Sequence, residues 1–172
     1  LKYKLNGEEE KCNDVDFIPY YEGFTGEVKK INETKYLIKG VHQIISSDSV
    51  RVTELPIGLW TDDYKQYLES QMDETKKGKK PLIKSFNDMS TDSLIDFTIK
   101  FNSGVLQKLA PESSDYDCSL LEKKLKLYTT KNTTNMHLFD SKQQLKKYDT
   151  VSDIIDIYYY YRYNVYIKRK KF

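Results

Sequence analysis

The chain has 172 residues, 31% of them charged and 38% hydrophobic, with a formal net charge of +2. That length holds one domain with a real core and at most an appendage, and a charge so close to zero excludes a simple basic tail. No apolar run approaches the ~20 residues of a membrane helix, and the opening LKYKLNGEEEK has neither the apolar stretch of a signal peptide nor an initiator Met, so an excised fragment with no membrane partner is expected.

Residues 1–18 read as a charged lead-in. PYYEGFTGEVKKI (19–31) starts with turn residues and alternates into a strand, and KYLIKGVHQII (35–45) is a second strand. SVRVTELP (49–56) sets Val50, Val52 and Leu55 against Arg51, Thr53 and Glu54, a half-buried strand closed by Pro56. The short separators NET and SSD predict hairpins and an antiparallel meander. The segment PIGLW then leads to the chain's single tryptophan, Trp60, which is either a core plug or an exposed surface. TDDYKQYLESQM (61–72) reads as a helix with Thr61 as N-cap, Asp62 and Asp63 in the first turn, and Tyr64, Tyr67, Leu68 and Met72 on one face.

DETKKGKKP (73–81) is a charged loop. SLIDFTIKF (93–101) alternates Ile95, Phe97, Ile99 and Phe101 against Leu94, Asp96, Thr98 and Lys100, a strand with one apolar face. NSGVLQKLAPESSDYDC (102–118) predicts a short helix stopped by Pro111, then an acidic loop. LLEKKLKLYTTKNTTNMHLFD (120–140) passes from helix through a polar β-segment to an apolar end. Asp149 or Thr150 caps a final helix over 151–172, with Val151, Ile154, Ile155, Tyr158 and Tyr161 on one stripe and KRKK at its C-terminal end. Strands grouped with flanking helices predict an α+β fold, mostly antiparallel sheet, ending in a long helix.

Catalytic signatures are sparse. His42 and His137 stand alone in strand segments without Cys or carboxylate partners at ligand spacing, which favours structural roles. Cys12 and Cys118 are far apart and read as reduced thiols. There is no nucleophile elbow and no Gly-rich phosphate loop. The acids of 88–96 and 112–122 read as solvated loops. Arg162-Tyr163 has the form of a phosphotyrosyl-forming dyad, but a Tyr nucleophile needs a metal or base and a phosphate clamp, and this helix supplies none.

The charge distribution is more informative. From Glu122 to Lys147 there are seven lysines (123, 124, 126, 131, 142, 146, 147) against two acids, and KKGKK occupies 76–80. Solvated faces are one reading and phosphate contact the other. KLYTTKNTTN (126–135) favours phosphate, because Lys, hydroxyl and amide groups bond phosphate oxygens without reading sequence.

Four segments carry a resemblance. PYYEGFTGEV, VTELPIGLWTDDYKQYLE, KLYTTKNTTNMHLFD and LKKYDTVSDIID, in that order, resemble the eukaryotic-type (type IIA) DNA topoisomerase II family, in the tower or shoulder part of its DNA-breakage-reunion core. The resemblance covers about residues 19–171. It implies a tower over 19–148 and, over 149–172, the start of a helix leading towards the exit-gate coiled coil. It also implies a non-catalytic support for bent double-stranded DNA within a homodimeric enzyme that uses ATP and Mg2+, with no cofactor in this segment.

DNA-contacting roles follow for Trp60 and for Lys126, Leu127, Tyr128, Thr129, Thr130, Lys131, Asn132, Thr133, Thr134 and Asn135. Lys131 stands where relatives are usually apolar, and Thr133-Thr134 where they tend to have Cys-Asn. SSDYDC (113–118) has no counterpart in the family pattern. A nuclear location follows for a eukaryotic source, and a virus factory or virion for a large DNA virus. The alternative is a structural or protein-interaction domain that does not touch DNA. The two readings separate on the salt dependence of duplex binding.

Overall fold

The computed structural model describes residues 1–8, 16–72 and 81–171. Cys12 and nearly all of the charged loop expected over 73–81, with its KKGKK run, lie outside the described residues.

Alternating segments joined by short polar turns fold back as hairpins. β1 (Glu27–Asn32) and β2 (Lys35–Lys39) pair antiparallel with Val28 opposite Ile38, and β3 (Val41–Ile44) and β4 (Ser49–Glu54) do the same with Ile44 opposite Val50. The single strand expected over 35–45 is therefore two. β2 lies in a three-stranded sheet of order β1-β2-β7, β7 being Tyr128–Asn132, while β3 begins a four-stranded sheet. The break falls at Gly40, where an added Cβ would meet the Glu54 carbonyl oxygen at 2.2 Å. The Gly40 N–H donates to the Leu127 carbonyl at 2.9 Å. Only a residue without a side chain lets the backbone cross between the sheets this closely.

After β4 the chain makes α2 (Thr61–Met72), which packs against β5 (Ile83–Asp88). β5 pairs antiparallel with β6 (Phe97–Phe101), and β6 lies beside β4, giving the order β3-β4-β6-β5. A helix inserted between β4 and β5 thus interrupts the expected meander. The strand expected over 93–101 starts at Phe97. Residues before it turn back, with the Met89 N–H donating to the Asp96 carbonyl at 2.9 Å and the Thr91 N–H to that of Leu94 at 2.8 Å, which leaves Leu94 exposed.

The apolar alternation has its expected use. Val50, Val52, Phe97, Ile99 and Phe101 all point inward with no exposed surface, and Tyr64 and Leu68 of α2 cover them. Leu106 and Leu109 of α3 (Val105–Leu109), Leu121 of α4 (Leu120–Lys124), and Leu125 and Leu127 complete this core. It lies within one compact unit, Tyr20–Lys131.

The other unit comprises Leu1–Pro19 and Asn132–Phe172. It holds α1 (Lys2–Leu5), the antiparallel hairpin of β8 (Met136–Phe139) and β9 (Leu145–Tyr148), and α5 (Val151–Lys170). Thr150 caps α5 in a reciprocal box with Asp153, each side chain bonding the other residue's backbone N–H. Within the segment read as a lead-in, Lys4 of α1 pairs with Asp156 at 2.6 Å, and the Tyr159 hydroxyl donates to the Lys4 carbonyl. The stripe expected on α5 is only partly covered. Val151, Ile154 and Ile155 are half-buried, whereas Tyr158 and Tyr161 are exposed, although both line an open hollow with the β8–β9 hairpin. The architecture is α+β with antiparallel sheets and a long final helix.

Candidate nucleic-acid interface

The residues before Trp60 form a tight turn. The Leu59 N–H donates to the Pro56 carbonyl at 3.1 Å, and Gly58 takes a φ of 94°, the left-handed region open to glycine. Leu55 and Pro56 are buried and Leu59 packs on the core, so the turn is held from below. The Trp60 carbonyl accepts the Tyr64 N–H at 2.9 Å. A carbonyl that accepts the first bond of a helix marks the N-cap position, so Trp60 occupies it and Thr61, expected there, is the first helical residue. The backbone of Trp60 is fixed while its ring stands 75% exposed. This decides against the core plug.

The second segment is set by the end of α4. The Leu127 N–H donates to the Glu122 carbonyl at 2.9 Å and the Lys126 N–H to that of Lys123 at 3.2 Å, while buried Leu127 and Leu121 lie on the core. This is a Schellman ending, whose left-handed position is usually glycine. Here it is Lys126, with φ 52°. Its ammonium lies 4.0 Å from the centroid of the Tyr67 ring, and the Tyr67 hydroxyl donates to the Lys124 carbonyl.

Past this corner β7 runs back towards the Pro56–Leu59 turn. The Lys131 Nζ would be 3.3 Å from a Cβ added to Gly58. Pro56, Ile57, Gly58 and Leu59 from the turn and Lys126, Tyr128, Thr129 and Lys131 from the β7 side line an open groove of about 220 Å3. Among the described residues no carboxylate is ion-paired to Lys126 or Lys131. The groove thus presents two ammonium groups and a threonine hydroxyl, a donor set suited to phosphate oxygens.

The expected contact residues divide by position. Lys126 and Lys131 are exposed, and Tyr128, Thr129 and Thr130 are half-buried. Leu127 is 1% exposed, so its side chain anchors the segment to the core and offers nothing to a ligand. Asn132, Thr133, Thr134 and Asn135 fall in the other compact unit, where Asn132, Thr134 and Asn135 are exposed and Thr133 is half-buried.

The isolated titratable groups have other surroundings. His42 is half-buried, and burial pushes its imidazole below the usual range. His137 is exposed on β8. Tyr163 stacks on Tyr159 at 5.8 Å, and the Arg162 guanidinium reaches the Tyr158 and Tyr166 rings. No group of three His, Cys, Asp or Glu side chains among the described residues is arranged to hold a metal ion. Sequence reasoning missed the pairing of Lys39 with Glu122 at 2.8 Å. Burial alone would raise the Glu122 carboxyl, but bonds from Lys39 and Ser119 outweigh it and hold it below the carboxylate range. The signal was present as Ser119-Leu-Leu-Glu122, a capping box that the structure forms.

All 172 residues match the model of the A-subunit family of DNA gyrase/topoisomerase IV. The chain is 38% identical over 169 residues to DNA topoisomerase 2 of Pisum sativum, covering 98% of this chain and 11% of that protein. It is 37% identical over 158 residues to DNA topoisomerase 2 of Plasmodium falciparum, covering 92% of this chain and 11% of that protein. The crystal structure of the Plasmodium falciparum topoisomerase II DNA-binding, cleavage and re-ligation domain matches 99% of this chain and 21% of its own, at 35% identity and a TM-score of 0.84. The chain therefore spans 11% of the length of each of these two curated relatives.

Proposed function

The chain belongs to the A-subunit family of DNA gyrase/topoisomerase IV, among its eukaryotic-type topoisomerase II members, and from that premise we propose that it is the tower of a type II DNA topoisomerase. In this reading residues 19–148 support the gate duplex during double-strand passage, residues 1–18 lead in, and residues 149–172 begin the helix towards the exit-gate coiled coil. The whole enzyme is then an ATP-hydrolysing, Mg2+-dependent homodimer that acts in a nucleus or, for a large DNA virus, in the virus factory or virion. This segment is non-catalytic by itself. Duplex support rests on its own lysines, hydroxyls and Trp60.

The observation that carries the reading is the placement of Lys131 against Gly58, in the turn that fixes Trp60. Two segments far apart in sequence form one groove with ammonium and hydroxyl donors, beside an exposed indole. Lys126 and Lys131 neutralise backbone phosphates, Thr129 donates to a phosphate oxygen, and the Trp60 ring lies against sugar and backbone without reading bases. Bending a duplex over 20–30 bp costs about 1–6 kcal/mol, and several such contacts on each arm offset it.

The test is a Trp60 fluorescence titration with a duplex of about 30 bp at several salt concentrations, since each phosphate contact adds about −0.9 to the slope of log affinity against log salt. A DNA-dependent signal that weakens with salt and is blunted in Lys131→Ala supports the reading. Absence of duplex binding by any probe overturns it in favour of a structural or protein-interaction domain.

A further inference from the structure

The segment SSDYDC, which no family motif absorbs, folds into a small closed loop. The Ser114 N–H donates to the Cys118 carbonyl at 2.7 Å, the Cys118 N–H to that of Asp115 at 3.1 Å, and Ser113 bridges Ser119 beneath them. Tyr116 and Asp117 in its tip are both left-handed, each with φ 60°. Two successive non-glycine residues in that region are strained, and such strain persists where surrounding contacts hold it.

Here the contacts are three lysines. Asp115 pairs with Lys123 at 2.7 Å, and Asp117 with Lys29 at 3.7 Å. The Lys35 ammonium donates to the Tyr116 hydroxyl and lies 4.7 Å from the centroid of its ring. The lysines come from β1, β2 and α4, so one short loop gathers cations from three elements. Both ion pairs are exposed, and exposed pairs are weak and screened by salt. A strained loop held by weak pairs is readily exchanged for a better anion.

We propose that Lys29, Lys35 and Lys123 form a second duplex-contacting surface, and that the Asp115–Asp117 loop covers it as an internal stand-in for DNA phosphates. This rests on the tower reading and extends it. The groove of Lys126 and Lys131 engages duplex first. A phosphate backbone that reaches the three lysines then displaces Asp115, Tyr116 and Asp117, and the loop relaxes as the cations turn to the duplex.

The test compares duplex binding by the full chain with that of Asp115→Asn/Asp117→Asn. Asn is tolerated in the left-handed region, so the loop keeps its backbone while losing its charge. The expected result is tighter binding at an unchanged salt slope, because the same lysines meet phosphate in both complexes and only the competition of the loop is removed. Adding Lys29→Gln, Lys35→Gln and Lys123→Gln to that variant should weaken binding below that of the unsubstituted chain and make the slope shallower by about 0.9 for each lysine that meets a phosphate. Glu69→Gln/Asp92→Asn changes net charge equally at exposed sites elsewhere, and should not reproduce the tightening.

An unchanged affinity in the loop variant, with normal binding by the unsubstituted chain, overturns this inference and leaves the tower reading intact. Equal tightening in the Glu69/Asp92 control also overturns it, because the effect is then one of net charge. Absence of duplex binding in every variant overturns both.

Discussion

Lys126 offers the sharpest test, because one substitution should weaken binding while leaving stability nearly unchanged. Its φ of 52° at the end of α4 is a position where glycine is usual. Lys126→Gly removes a left-handed penalty of about 1–2 kcal/mol. Against that gain, glycine's freedom in the unfolded chain costs about 0.4–1 kcal/mol, and loss of the ammonium over Tyr67, 4.0 Å from its centroid, costs about 0.5–1 kcal/mol. The glycine variant should therefore unfold within about 1 kcal/mol of the original. Lys126→Ala keeps the backbone penalty and loses the ring contact, so it should be less stable than the glycine variant by about 0.5–1 kcal/mol. Both should bind duplex more weakly, with the salt slope reduced by about 0.9. Urea unfolding and a duplex titration on the three proteins measure all of this. Equal stability of the Gly and Ala variants would refute the backbone argument, and an unchanged salt slope would refute the phosphate contact.

Three further outcomes are expected. The Tyr64 hydroxyl is buried without a hydrogen-bond partner, so Tyr64→Phe should raise stability by about 1 kcal/mol, seen as a higher melting temperature. Gly58→Ala forces a side chain onto a φ of 94° and against the Lys131 ammonium. It should cost more than about 1 kcal/mol and weaken duplex binding together, and a stability loss with unchanged affinity would separate the turn from the interface. Burial holds His42 below its ordinary range. The unfolded chain therefore binds the extra proton first as pH falls below about 6.5. Stability should decline through that window and level off below the folded value. In His42→Gln this part of the pH dependence should vanish, as unfolding midpoints across pH would reveal.

What was legible in the sequence was periodic or local. Val50 and Val52, and Phe97, Ile99 and Phe101, announced buried strand faces. Tyr64 and Leu68 announced the covering helix, and Thr150 the cap of the final one. The gathering of Lys126, Lys131 and the intervening threonines into one polar donor set was also readable from residue type, and so was the place of Trp60 beside a turn. What escaped depends on approaches between distant segments. Nothing local in KYLIKGVHQII says that Gly40 must pass the Glu54 carbonyl, because the clash arises only once β4 is in place. Lys126 in a glycine position carries no compositional mark, and neither do Tyr116 and Asp117, whose geometry is tied to lysines from three other elements. That Leu127 faces the core rather than a ligand follows from the helix ending before it, which the run of lysines hides.

The uneven distribution of buried side chains governs how the chain comes apart. The unit Tyr20–Lys131 holds the large apolar core, whereas α5 has no buried residue over its 20 positions and Tyr148 is the only buried hydrophobic side chain among the described residues of its unit. Local opening follows local burial, so backbone amides in α5 and the β8–β9 hairpin should exchange with solvent at lower free energy than those of β4 and β6. A single transition is then the wrong description of unfolding. Trp60 fluorescence follows one unit alone, far-ultraviolet dichroism also registers the long helix, and the two curves should part at low denaturant, with the helix melting first.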